Sequence, residues 1–88
     1  MSAKHVIVSG RVQGVSFRAN AEQRATDLGV AGWVRNRDDG GVDMHVEGDA
    51  AAVERMLACA QDGPAHATVE SVEVRDVEPQ GLSRFAQS

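Results

Sequence analysis

The residues best suited to chemistry lie between Ser9 and Arg18, where SGRVQGVSFR carries two glycines, Gly10 and Gly14, and ends in a guanidinium. Glycine lets successive backbone N–H groups turn toward one centre, and a following helix adds its own unpaired N–H groups and the positive end of its dipole. Such a loop is suited to an anion. Arg18 supplies a planar fork of donors that matches two oxygens of a phosphate or carboxylate at once. A helix's first turn is electrostatically the wrong end for a cation, a cost that an anionic ligand would explain. The second candidate is Asn36, just ahead of the turn-rich RDDGG stretch from Arg37 to Gly41. Its amide can donate to one oxygen and accept from a water.

Each of these residues also has a plainer reading. A glycine turn after a strand is usually only a turn, Arg18 can be a solvated helix-start arginine, and Asn36 can simply begin a hairpin. Ser16 fits a helix N-cap and need not be a nucleophile. His5, His45 and His66 are far apart, show no ligand spacing and read as surface residues. The acidic pair Asp38 and Asp39 reads as a solvated turn.

The elements that must position the candidates follow from periodicity. Lys4 to Ser9, with Val6-Ile7-Val8 at its centre, is predicted as a strand ended by Gly10. From Phe17 the positions Phe17, Ala21, Ala25 and Leu28 recur at helical spacing, opposite Glu22, Arg24 and Asp27, with Gly29 as the stop. Val30 to Asn36 reads as a strand through Trp33 and Val34, and Arg37 to Gly41 as hairpin punctuation. Val42, Met44 and Val46 then alternate with Asp43, His45 and Glu47, which predicts a strand with one wet face. Asp49 is placed to cap a helix whose inner stripe is Val53, Met56, Leu57 and Ala60, ended by Asp62-Gly63-Pro64. Val69 to Val77 is the last main strand; Pro79 to Gly81 breaks it, and Ser83 to Gln87 can add a short edge strand. The resulting order, βαββαβ, is the split βαβ pattern of an α+β ferredoxin-like sandwich, an antiparallel sheet with two helices on one face.

With 88 residues the chain is expected to form one domain, 1–88, with a small core. Hydrophobic residues at 42% and charged residues at 25% argue against disorder. The net charge of -4 gives no general electrostatic reason to bind nucleic acid or anionic lipid. The N-terminal MSAKHVIVSG holds only three consecutive aliphatic residues, too few for a signal peptide or membrane span. Cys59, the one cysteine, cannot form an internal disulfide and reads as a small buried or half-buried group in a helix, which fits a reducing compartment. A cytoplasmic protein is therefore expected.

Rival phosphate motifs fail by spacing. Gly14 is followed by Val15-Ser16 where a P-loop needs Lys and Ser or Thr, there is no GxGxxG, and no arginine stands a short loop beyond Cys59. Two readings without turnover stay open. One is a ferredoxin-like module that binds an anionic metabolite or a protein. The other is an RNA-recognition sheet, disfavoured because Val42 to Glu47 lacks aromatics and the charge is negative.

The blocks GRVQGVSFR, Gly10 to Arg18, and GWVRN, Gly32 to Asn36, resemble the acylphosphatase family. The turn and strand DGGVDMHVEG and the later GPAHATVESVEV extend the resemblance over most of the chain. It implies a metal-independent hydrolase of carboxyl-phosphate anhydrides that needs no cofactor. Arg18 falls on the arginine that holds the phosphate and Asn36 on the asparagine that orients the attacking water, while the loop Val12, Gln13, Gly14, Val15, Ser16 and Phe17 supplies phosphate-binding amides. The expected partners are a small-molecule acyl phosphate, and inorganic phosphate as product and inhibitor, for a monomer that binds neither nucleic acid nor membrane. The chain departs from the family at Ala19-Asn20-Ala21, where many relatives carry a bulky aromatic and a threonine, and in the less aliphatic Phe85-Ala86-Gln87-Ser88.

Overall fold

A computed structural model describes residues 1–14, 16–63 and 67–87. Val15, Pro64 to His66 and Ser88 lie outside the described residues, so the expectations for Val15 and His66 are not addressed by it. The elements run β1 (Ser2–Arg11), α1 (Phe17–Leu28), β2 (Ala31–Asn36), β3 (Val42–Gly48), α2 (Ala50–Asp62), β4 (Thr68–Asp76) and β5 (Phe85–Gln87). The sheet order is β4-β1-β3-β2-β5. β1, β2, β3 and β4 pair antiparallel, and β5 joins β2 in parallel, so the ferredoxin-like sheet is mixed at its C-terminal edge.

Both helices cover one face because each has one apolar stripe and the sheet offers one apolar face. Val6, Val8, Val34, Val42, Met44 and Val46 from the sheet form one cluster with Phe17, Ala21 and Ala25 of α1 and Val53, Met56, Leu57 and Ala60 of α2. α1 has the predicted span and closes on Gly29, left-handed at φ 73°, whose N–H bonds back to Thr26. The stripe predicted for α2 is the one buried. Asp49 holds the extended cap conformation without a side-chain hydrogen bond, and Ser16 likewise makes none, so neither caps its helix through its side chain. No helix among the described residues is long and apolar enough to cross a membrane.

The second face corrects the expectation of a wet side on β3. Asp43, His45 and Glu47 are 2%, 2% and 1% exposed, and His45 is not a surface residue. At His45 and Glu47 the cause is topological: β4 and β5 occupy opposite edges, so the connection 77–84 must cross the sheet on the face the helices leave free. Glu47 fastens it there, Oε1 accepting from Gln80 N–H at 2.7 Å and Oε2 from Gly81 and Leu82 N–H at 3.1 Å each. His45 Nε2 donates to Oε1 at 2.7 Å, and Trp33 stacks on His45 while its Nε1 donates to Gln80. Burial alone would push the Glu47 carboxyl up, but these donors outweigh it and hold it below the usual carboxylate range. Asp43 is similar: burial opposes ionisation, and Arg35, paired through two nitrogens at 2.9 and 3.2 Å, and His5 at 3.1 Å reverse the sign. The space between β2 and β3 is also tight, since a Cβ on Gly32, at φ +147°, would overlap the carbonyl oxygen of His45.

Candidate active site

The loop after β1 begins with the buried Val12 and is committed to α1 by Phe17, whose ring is 4% exposed in the core. Between them the backbone turns left-handed twice, at Gly14 with φ 74° and at Ser16 with φ 64°, ψ 23°. Glycine takes such a conformation freely, whereas for serine it carries a strain of order 1–3 kcal/mol, of the kind that collects at binding sites. The first helical bond follows at once, Asn20 N–H to Ser16 carbonyl at 2.9 Å. Arg18, half-buried, is therefore the second residue of α1, at the end where unpaired N–H groups and the positive dipole gather.

Asn36 is the last residue of β2, exposed and aligned with Val42 across the hairpin. The strand presents it on the same face as the buried Val34, toward the helix layer, because side chains alternate along a strand. Residues 18 and 36, eighteen positions apart in sequence, line one open cleft of about 120 Å³ together with Val12, Gly14, Ser16 and Phe17. Gln13 is not in its wall. Instead, its Nε2 donates to the carbonyls of Arg37 and Gly41, at 2.8 Å each, and ties the loop to the hairpin that follows Asn36.

Two wall residues, Ala19 and Gln87, were not singled out from sequence as site residues. Ala19 lies next to Arg18, and its small side chain gives no signal of its own. Gln87 is distant in sequence and arrives only because β5 pairs with β2. Arg18 is the one charged group among the described residues of the wall. Asp38 and Asp39 are exposed, as expected of the hairpin; Asp39 accepts from Gly41 N–H and pairs with Arg37. Cys59 is half-buried on α2, away from the cleft wall. Among the described residues, no three His, Cys, Asp or Glu side chains are grouped to hold a metal ion.

The family model for acylphosphatase matches residues 4–87. The chain belongs to the acylphosphatase family. Similar curated proteins include the acylphosphatase of Nocardioides sp. (strain ATCC BAA-499 / JS614), 57% identical over 96% of this chain and 85% of its own length. The acylphosphatase of Roseiflexus sp. (strain RS-1) is 50% identical over 96% of this chain and 90% of its own. Among solved structures, acylphosphatase from Bacillus subtilis superposes with a TM-score of 0.96 at 35% identity, covering 100% of this chain and 99% of that one. As a member of the acylphosphatase family, the chain is a hydrolase, and its substrates are small-molecule acyl phosphates.

Proposed function

We propose that the cleft between the loop and Asn36 is the reaction site and that it hydrolyses carboxyl-phosphate anhydrides without a metal ion. The observation that carries this reading is the meeting of Arg18 and Asn36 in one small cleft with the left-handed loop. In it the loop amides from Val12 to Phe17, Val15 included, and the Arg18 fork hold the phosphoryl oxygens. Asn36 accepts a hydrogen bond from water and donates to an oxygen, aiming the water's lone pair at phosphorus in line with the bond to be broken. The departing group is a carboxylate whose conjugate acid has a pKa of roughly 4, so it leaves without a strong general acid. Binding the charge and placing the water are positioning and electrostatic tasks, which amides, one arginine and one asparagine can perform. Phosphate monoesters, with far poorer leaving groups, fall outside this chemistry.

The single apolar cluster shared by both helices and the sheet supports one domain over 1–88. We assign the protein to the cytoplasm as a monomer, in keeping with its lone, unpaired Cys59, and expect inorganic phosphate to inhibit it competitively. The test is release of phosphate from an aryl acyl phosphate with and without excess chelator. Equal rates support the reading. Loss of turnover with chelator would overturn metal independence, and phosphate binding without turnover in its absence would make the domain a binding module.

A further inference from the structure

We infer that Gln87 is a third reacting-site side chain, donating a hydrogen bond to the carboxylate as it leaves; this rests on the cleft being the reaction site. The parallel ladder aligns Phe85 with Gly32 and Gln87 with Val34. Phe85 and Val34 are buried in the core beneath the helices, and side chains two apart on a strand share a face, so Gln87 projects toward α1. Its Nε2 donates to Glu22 Oε1 at 3.3 Å, and the residue forms wall with Arg18, Ala19 and Asn36. Asn36 stands two positions beyond Val34 on the neighbouring strand and on the same face, roughly 7 Å further along.

The chemistry has a task that the other groups do not perform. Water oxygen bonds to phosphorus, the bridging P–O bond breaks, its electron pair passes to the acyl oxygen, and both of the water's protons stay with the phosphate, which is released as dihydrogen phosphate. Arg18 and the loop amides serve the phosphoryl oxygens and Asn36 serves the water, while negative charge grows on the two oxygens of the departing carboxylate. A carboxamide carries two N–H bonds. Glu22 can only accept, so it takes one of them and keeps the nitrogen end of Gln87 turned toward itself; the second N–H remains for the leaving oxygen. Gln87 transfers no proton. Its contribution grows as charge develops, the condition for accelerating the chemical step.

The experiment uses a series of ring-substituted benzoyl phosphates whose acids differ in pKa, with wild type, Gln87→Met and Glu22→Gln. Gln87→Met keeps the length of the side chain and removes the donor. It should lower kcat about tenfold, with the largest losses for the poorest leaving groups, and leave the inhibition constant of inorganic phosphate unchanged. Glu22→Gln should give a smaller steepening of the same kind and decides the matter if Gln87→Met does not fold. A leaving-group slope equal in wild type and both variants overturns the inference. So does a loss of phosphate affinity that matches the loss of kcat, which would make β5 only a brace for the loop. Absence of turnover in wild type overturns the assignment of the cleft and this role with it, whereas wild-type turnover with an unaltered slope overturns this role alone.

Discussion

The loop before α1 and the hairpin after Asn36 meet at the cleft, and the Gln13 side chain links them directly: its Nε2 donates at 2.8 Å to both Arg37 and Gly41 carbonyls. Replacing Gln13 with Leu removes both bonds while keeping an apolar stem of similar size. The two carbonyls are not orphaned, because Gly41 O still accepts from Arg37 N–H at 2.8 Å and Arg37 O from Gly40 N–H at 3.3 Å. The cost is therefore that of two ordinary hydrogen bonds at about 1 kcal/mol each, not that of buried groups left unpaired. For a domain of this size about 2 kcal/mol lowers the melting temperature by roughly 8 to 16 °C. Catalysis should suffer separately. On the proposed roles, phosphate is held by the loop and by Arg18 in the first turn of α1, whereas the water is aimed by Asn36 across the gap that Gln13 closes. A displacement of about 1 Å costs on the order of 100-fold in rate, so kcat should fall between roughly 10- and 100-fold while the phosphate inhibition constant stays within about threefold. Thermal melts and steady-state kinetics with phosphate as competitor measure both. If kcat is unchanged in a variant that has lost stability, the loop and hairpin are aligned by other contacts; if phosphate affinity falls with kcat, Gln13 shapes the loop itself.

Further expectations follow from other features. Arg18→Ala should remove most phosphate affinity and turnover with little change in melting temperature, and Arg18→Lys should rescue only part, because one point charge replaces a two-pronged donor; wild-type inhibition by phosphate in Arg18→Ala would refute its role. Asn36→Ala should lose on the order of 100-fold in kcat with phosphate binding retained, and survival of kcat would leave Asn36 a hairpin residue only. Glu47 has a lowered pKa, so its stabilisation is complete above the unfolded value of about 4.3 and disappears as pH falls through the lower folded value. Glu47→Gln should thus cost about 2 to 3 kcal/mol in urea denaturation at pH 7, and the gap from wild type should close toward pH 2; a gap independent of pH would show that shape, not charge, holds the 77–84 connection. Gly32→Ala should prevent correct pairing of β2 with β3, read as loss of cooperative unfolding, and a normally folded variant would contradict the close approach to His45.

Local pattern carried a large part of the fold. The span of α1 and the buried stripe of α2 were legible because helical periodicity and glycine stops act within a few residues, and the RDDGG turn announced its hairpin in the same way. The alternation of β3 was legible too, but its meaning was not. Asp43, His45 and Glu47 read as solvent-facing because their partners come from other strands and from the 77–84 connection: that connection reaches Glu47 some thirty residues later, through backbone N–H groups that no side-chain pattern reveals, while Asp43 pairs with Arg35 and His5. The same limit governs the cleft. Arg18 and Asn36 stand in recognisable local motifs, while Gln87 reaches the wall through a parallel pairing formed 53 positions from its partner Val34. Gln13 was expected among the phosphate-binding loop residues for its main-chain amide, yet its side chain serves the hairpin, a role visible only when both segments are in place.

The placement of β4 and β5 at the two rims of the sheet also bears on how the molecule behaves in a crowd of its own copies. A sheet rim offers unpaired main-chain groups on which another chain can add as a further strand and begin an aggregate. One rim here is β5, three residues long and so too short a template for stable addition. The other is β4, nine residues long, which carries Glu70, Glu73, Arg75 and Asp76 along its exposed length. Adding a second β4 to the first would bring together two strands that each carry a net charge of -2 and require several charged groups to lose water, and the register break opposite Ser9 and Gly10 twists one end away from a flat template. The rim that could recruit a neighbour is thus the one that carries the charge, which favours a sheet that stays closed to other chains at high concentration.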